Sequence, residues 1–169
     1  IAIFLNEDLK KNSQKKLLDS TKSIFEPGEY EVNNIPIQSH AVKVNSENLD
    51  ESTNIYSVIS EGMTICYLNE ISKISIPANV TESMGKIDIL ICISNDSSDQ
   101  SVESINSLLS SIDPKVLIIA EKDSTNETTE IYQKLIKGLG QTYEDPTINA
   151  NITKSGIGDS LKVANLKKS

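Results

Sequence analysis

The run Ile-Asp-Ile-Leu-Ile-Cys-Ile at residues 87–93 constrains the fold more than any other segment of the chain. Almost every position in it is apolar, a pattern typical of a central strand that is covered on both faces of its sheet. A sheet with such a strand needs another layer on each side. This run and every other apolar run are far shorter than the roughly 20 residues that cross a bilayer, so we predict no membrane association.

Strand patterns dominate the chain before this run. Ile1 to Leu5 has the continuous apolar character of a buried strand, whereas 29–32 and 35–44 alternate as half-exposed strands do. Two further β-rich runs meet at Glu61-Gly62, a pair that favours a tight hairpin turn. The first half of the chain is therefore predicted to be rich in strands.

Helices and strands alternate after this run. We expect Ser101 to cap a helix that ends at Asp113-Pro114, a buried strand at Val116 to Ile119, and a second helix after residue 124. The tail, Thr147 to Leu166, is predicted to form two short polar strands. This order indicates an α/β fold in one domain that covers residues 1–169.

The composition excludes several kinds of functional site. The chain has no arginine and a single histidine, His40, whereas zinc hydrolases usually use several imidazoles. It has 16 lysines and 24 acidic residues, which give a formal charge of −8, and a chain with this negative charge repels a phosphate backbone. We predict no nucleic-acid partner. Cys66 and Cys92 lie in apolar runs without CxxC spacing, which is typical of inert buried thiols in a cytoplasmic protein.

Five local motifs occur in an order that resembles bacterial metallo-β-lactamase-fold hydrolases of the ascorbate-6-phosphate-lactonase-like branch. The resemblance covers most of residues 1–165 and rests on Pro27-Gly28-Glu29-Tyr30-Glu31-Val32, on Asn54 to Ile59, on Glu61 to Leu68, on Ile87 to Ile91 and on Asp113 to Ile119. It implies a four-layer αββα sandwich with a binuclear metal site at one edge of its sheets.

The positions that would hold the metal differ from the family pattern. The family has an H-x-H-x-D-H loop after a strand like Ile1 to Leu5, and here Asn6 and Asp8 stand at its first two histidines. Glu70 occupies the position of the family's bridging aspartate, and Glu121 occupies the position of its late histidine. The family's mid-chain histidine falls near Val44, a few residues beyond His40. The resemblance therefore implies that Asn6, Asp8, Glu70 and Glu121 occupy a degenerate metal site, with no catalytic residue and no metal.

The resemblance also implies that about 50 residues of sheet precede the metal loop in the family, and these are absent from this chain. We therefore expect residues 1–169 to be about the C-terminal two-thirds of a full domain. The strand Ile1 to Leu5 needs neighbours on its flanks, since a long apolar edge templates aggregation. We expect an upstream segment or a protein partner to supply them.

Two functions remain open at this point. The first is a catalytically degenerate, cytoplasmic pseudoenzyme that acts as a binding or structural partner. The second is a residual metal-dependent hydrolase in which Asp8, Glu70 and Glu121 hold a hard cation, Mg²⁺, Mn²⁺ or Ca²⁺, through carboxylate oxygens. Lysines at 10, 11 and 122 would neutralise the same carboxylates without any metal.

Overall fold

The computed structural model describes residues 2–3, 23–24, 26–43, 52–69, 76–93, 99–120 and 133–166. In chain order its elements are β1 (Ala2–Ile3), β2 (Ser23–Ile24), β3 (Gly28–Val32), β4 (Ile35–Lys43), β5 (Ser52–Ser60), β6 (Met63–Asn69), α1 (Ala78–Met84), β7 (Ile89–Ile93), α2 (Asp99–Ile112), β8 (Val116–Ala120), α3 (133–138), a 3₁₀ helix (Lys154–Gly156) and β9 (Lys162–Leu166). No helix among these residues is long and apolar enough to span a membrane.

Strands β3 to β6 form an antiparallel meander with two tight turns. The backbone has positive φ at both central residues of each turn, 53° and 62° at Asn33-Asn34 and 51° and 72° at Glu61-Gly62. These angles belong to type I′ turns, whose twist matches that of paired strands, and Asn and Gly adopt them most readily. The predicted hairpin at Glu61-Gly62 is confirmed.

Strands β6 to β9 extend the meander as a parallel sheet, which gives a seven-stranded sheet in the order β3-β4-β5-β6-β7-β8-β9. Parallel neighbours need crossover connections. Segments with α1, α2 and α3 lie in the three crossovers. The predicted order, strands first and then alternating strands and helices, is confirmed. Separately, β1 pairs in parallel with β2 in a two-stranded sheet.

The helices cover one face of the seven-stranded sheet, which we call the helix face. Many strand residues with side chains on this face are fully buried, among them Leu90 and Leu117 at 0% exposure. They pack with Val80 and Met84 of α1, with Ile105 of α2 and with Leu135 and Ile136 of α3. Alternation along each strand sends every second side chain to this layer, which is the main hydrophobic core.

The opposite face carries two smaller buried clusters. One joins Ile24 of β2 to Val32, Ile37 and Tyr56 of the meander. The other, which we call the parallel-strand cluster, consists of Met63, Ile89, Val116 and Ile118 from the parallel strands. Ile152 and Ile157 from the segment before β9 pack against it and are themselves only partly buried.

Two expectations about element boundaries are wrong. Helix α2 begins at Asp99, so Ser101 is its third residue and not its N-cap; an acidic residue in the first turn is also favourable to the helix dipole. The tail contains one strand, β9, whereas Thr147 makes only an isolated bridge and residues 154–156 form a 3₁₀ helix. The stretch 147–151 is exposed throughout, so little burial is available to stabilise a further strand there.

Candidate functional site

The C-terminal ends of β6, β7 and β8 meet at one edge of the sheet, which we call the carboxyl edge. Asn69 is in register with Ile93, and Ile93 is in register with Ala120. These three residues therefore lie at the same level of the sheet. Neighbouring strands are about 4.8 Å apart, so Asn69 and Ala120, two spacings apart, are separated by about 10 Å.

The residues predicted for the degenerate metal site belong to segments at the ends of such strands. Glu70 follows β6 and Glu121 follows β8, while Asn6 and Asp8 come three and five residues after β1. All four lie outside the described residues, as does the strand prediction beyond residues 2–3. The described strands fix where two of these segments begin, and the contacts of the four side chains stay a prediction.

His40 lies inside β4, and its side chain is on the helix face with that of Val42, two residues along. It pairs with Ile55, and the β5–β6 register continues that row to Leu68, two residues before Glu70. At about 3.4 Å per residue, His40 lies about 3.4 Å below the level of Asn69, the last residue of β6. Its Nε2 atom is buried and has no hydrogen-bond partner among the described residues.

The two cysteines are free thiols in the helix-face core. Cys66 and Cys92 are both fully buried, at 0% exposure. Burial raises the pKa of Cys66 to about 12. It raises the pKa of Cys92 as well, with a smaller contribution from the neighbouring Cys66. Thiols that stay protonated are neither nucleophiles nor metal ligands, so their prediction as inert buried side chains agrees with this environment.

The imidazole and thiols of this chain do not fit a zinc centre. Zinc prefers nitrogen and sulfur ligands at about 2.0–2.3 Å. His40 and Cys92 occupy one register row but are separated by β5 and β6, three strand spacings or about 14 Å. Within the described ranges no three His, Cys, Asp or Glu residues are grouped as metal ligands would be.

Residues 2–120 match the profile of the family described as beta-lactamase superfamily domain. The chain belongs to this family. The match covers β1 to β8, that is, the meander and the parallel strands that build the carboxyl edge. The predicted metallo-β-lactamase-like fold is therefore confirmed.

Solved structures of the superfamily share the fold at low sequence identity. A protein of Thermotoga maritima assigned as a Zn-dependent hydrolase of the metallo-β-lactamase superfamily aligns with a TM-score of 0.60 and 18% identity, over 86% of this chain and 72% of that one. A protein of Parabacteroides distasonis assigned as a metal-dependent hydrolase aligns with a TM-score of 0.52 and 15% identity, over 97% of this chain and 64% of that one. The metallo-β-lactamase fold protein YhfI from Bacillus subtilis aligns with a TM-score of 0.51 and 11% identity, over 96% of this chain and 60% of that one.

The chain thus spans less than two-thirds of the length of two of these three structures. A search of curated proteins finds no match. These comparisons assign the fold, and at such identities they carry no activity over to this chain.

Sequence reasoning missed an ion pair at the opposite edge of the parallel strands. Lys154 Nζ lies 2.9 Å from both carboxylate oxygens of Asp88, the residue before β7. The backbone N–H of Thr64 donates to Oδ2 of the same carboxylate at 3.0 Å. The sequence did contain a signal for this pair, because an aspartate inside the apolar run 87–93 must have a partner if it is buried.

The pKa of Asp88 reflects two opposed effects. Burial of the carboxylate acts to raise its pKa, but the hydrogen bonds from Lys154 and Thr64 and the charges of Lys154 and Lys86 outweigh burial, so the net pKa is lowered. Asp88 is therefore ionised at neutral pH and fully engaged, which is the behaviour of a structural tie and not of a general base.

A second missed cluster links β2 to the meander. The Tyr56 hydroxyl accepts a hydrogen bond from Asn54 Nδ2 at 3.3 Å and donates to the Ile24 carbonyl at 3.5 Å. Burial raises the pKa of Tyr56, and its hydrogen bond with Asn54 partly offsets this. A neutral, buried tyrosine here attaches the two-stranded sheet to the larger one.

Proposed function

We propose that this domain has lost the binuclear metal centre of its hydrolase relatives and acts as a cytoplasmic binding or structural partner of another protein. The observation that carries the proposal is the position of His40. It is the single histidine of the chain, and it lies within β4, paired with Ile55 and separated from β7 and β8 by β5 and β6.

The thiols give no substitute set of ligands. Both are enclosed in the helix-face core, and burial raises the pKa of each. The remaining candidates are the oxygen ligands Asn6, Asp8, Glu70 and Glu121, which suit hard cations better than zinc. A chain with only these oxygen ligands would bind zinc weakly and would lack the Lewis acid on which metal-dependent hydrolysis relies.

The negative charge of the chain makes a nucleic acid an unfavourable ligand, so we propose a protein as the partner. In the αββα sandwich that the family resemblance implies, the second sheet would lie over the face opposite the helices. An upstream segment of the same protein, or a separate chain, would supply the strands that the family places before β1.

Hydrolysis assays test the loss of activity. We expect the chain, supplied with Zn²⁺, Mn²⁺ or Mg²⁺, to hydrolyse a chromogenic phosphodiester and a lactone no faster than the double variant Glu70→Gln/Glu121→Gln. The matched control is Glu29→Gln/Glu31→Gln, which removes the same charge from exposed positions on β3. A metal-dependent rate that the first double variant abolishes and the control retains would overturn the proposal.

A second candidate, a hydrolase that uses a hard cation, is favoured by the geometry of the carboxyl edge. The register places Asn69 and Ala120, the residues before Glu70 and Glu121, about 10 Å apart, which supports this candidate. Calorimetric titration with Mn²⁺ or Ca²⁺ separates the candidates. Binding that disappears in the Glu70→Gln/Glu121→Gln variant and not in the β3 control would favour this second function.

The juxtaposition itself can be measured without a metal. Cysteines introduced by Glu70→Cys and Glu121→Cys can carry nitroxide labels, since burial protects Cys66 and Cys92 from labelling. We expect strong dipolar broadening of the electron paramagnetic resonance spectrum, because the two strand ends are two spacings apart. Carboxylates more than about 12 Å apart in an experimental structure would refute the alignment of these positions with the family's metal site.

A further inference from the structure

The helix face of the sheet becomes exposed where it reaches the meander. One register row runs across five strands through Leu90, Cys66, Ser57, Gln38 and Glu29. The first three of these side chains are buried, the fourth is half-buried and the last is exposed. Exposure rises toward β3, so the helices that enclose the parallel strands do not cover this corner of the sheet.

The neighbouring row is exposed on all three strands from β3 to β5. Glu31 pairs with Pro36, and Pro36 stands opposite Ile59 because the next pair along the two strands is Ile37 with Val58. Glu31 and Pro36 are exposed, and Ile59 is exposed at 47%. The exposed and half-buried residues of the two rows form one patch, which we call the meander surface: Glu29, Glu31, Pro36, Gln38 and Ile59.

The meander surface has an acidic side and an apolar side. Glu29 and Glu31 lie two residues apart on β3, a separation of about 7 Å, and neither has an ion-pair partner among the described residues. Pro36 and Ile59 lie one and two strand spacings away, at about 5 and 10 Å. Carboxylates on an edge strand discourage pairing with other strands, but that role needs no exposed apolar side chains beside them.

We propose that the meander surface binds an amphipathic helix of a partner protein, with apolar side chains on Pro36 and Ile59 and basic side chains on the two glutamates. A helix is about 10–12 Å across, close to the distance from β3 to β5. Its side chains at i and i+4 are about 6 Å apart, close to the separation of the glutamates. The formal charge of −8 favours the approach of a basic partner.

This inference rests on the proposed role as a binding partner and gives that role a surface and a chemistry. The bound helix would extend the layer that α1, α2 and α3 form over the parallel strands. It would lie on the face opposite the one that the second sheet of the sandwich would cover.

A synthetic peptide tests the binding on the full chain. The probe is a fluorescent peptide of about 18 residues, long enough to form a helix, with leucines on one face and lysines at its flanks. One reference peptide has glutamate in place of every lysine, and another has the residues of the probe in scrambled order. At low salt we expect saturable binding of the probe by fluorescence anisotropy, and binding of both references at least about tenfold weaker.

A charge variant locates the acidic side of the site. Glu29→Gln/Glu31→Gln should weaken binding of the probe about fivefold or more, because two exposed charge pairs are lost. The matched control is Glu144→Gln/Asp145→Asn, which removes the same charge from two exposed acidic residues outside the surface. The control should bind the probe as the wild-type chain does.

An apolar variant locates the other side. Ile59→Ser should weaken binding about threefold or more, since less apolar area leaves water in the complex. Ile148→Ser is its control, because Ile148 is a large hydrophobic residue that is 64% exposed and lies outside the meander surface. This control should leave the affinity unchanged.

Three results would overturn the meander surface as a binding site: no saturable binding of the probe, equal binding of the scrambled peptide, or equal weakening by the control variants. None of them bears on the zinc content or the hydrolysis rate, which test the loss of the metal centre. A failure of this inference is therefore distinguishable from a failure of the proposed function.

Discussion

The two faces of the seven-stranded sheet are built differently. On the helix face, side chains such as Leu90 and Leu117 are completely enclosed by three helical segments. On the opposite face, smaller clusters are covered by β2 and by two half-buried isoleucines of the segment before β9, Ile152 and Ile157. Burial of apolar area is the main stabilising contribution to folding. The difference indicates that the helix face makes the larger contribution to the stability of the fold.

The comparison predicts its largest effect for a truncation on the helix face. Leu117→Ala removes a fully buried side chain from a close-packed layer. We expect a loss of about 3 kcal/mol in the free energy of unfolding, within the range of about 2–5 for such cavities. Urea denaturation measures it. A loss below about 1 kcal/mol would mean that the helix face is not the principal core.

Thiol reactivity tests how well the helix face excludes solvent. Cys66 has its pKa raised to about 12 by burial, and Cys92 is equally enclosed. At pH 8 we expect both thiols to react with a disulfide reagent at least about a hundredfold more slowly in the native chain than in urea, because burial denies both access and ionisation. Rapid reaction of the folded protein would contradict the packing described for this face.

Acid should weaken the tie across the opposite face. The folded pKa of Asp88 is lowered, so its contribution is present above the unfolded value, about 3.9, and is lost as the pH falls through the folded pKa. We expect the free energy of unfolding of the wild-type chain to be about 1 kcal/mol higher than that of Asp88→Asn at pH 7, and this difference to shrink below about pH 4. Unfolding curves of both proteins at several pH values measure it. A difference that grows in acid would contradict the ion pair.

The smallest effect is expected in the segment before β9. Ile157 is half-buried, and the other residues between 153 and 160 are exposed. Ile157→Ala should lower the free energy of global unfolding by less than about 1 kcal/mol, because less apolar area leaves water there. A loss as large as that of Leu117→Ala, measured under the same denaturing conditions, would remove the contrast between the two faces.

The order of strands and helices could be read from the sequence because it rests on local signals. The apolar run at 87–93, the turn residues Glu61-Gly62 and the helical spacing after residue 101 each describe their own neighbourhood. The path of the segment before β9 could not be read in this way. It depends on Lys154 meeting Asp88, 66 residues away, and a lysine in a polar tail carries no local mark of its partner.

The candidate site was predictable only in part, for a similar reason. Strands β6, β7 and β8 end at one edge, as their register shows, and the meeting of Glu70 and Glu121 at that edge stays a prediction. That expectation came from the resemblance of short motifs to a family. The helix boundary at Asp99 was missed because Ser, Asp and Asn are all favoured at helix starts, so the sequence offers several positions within one turn.

Elemental analysis of the full chain, purified without chelator and dialysed, tests the central claim most directly. If the binuclear zinc centre has been lost, zinc should be present at far less than one atom per chain, because the single imidazole lies within β4 and both thiols are buried. His40→Asn should leave this value unchanged. About one or more zinc atoms retained per chain would contradict the account and would indicate a working metal centre.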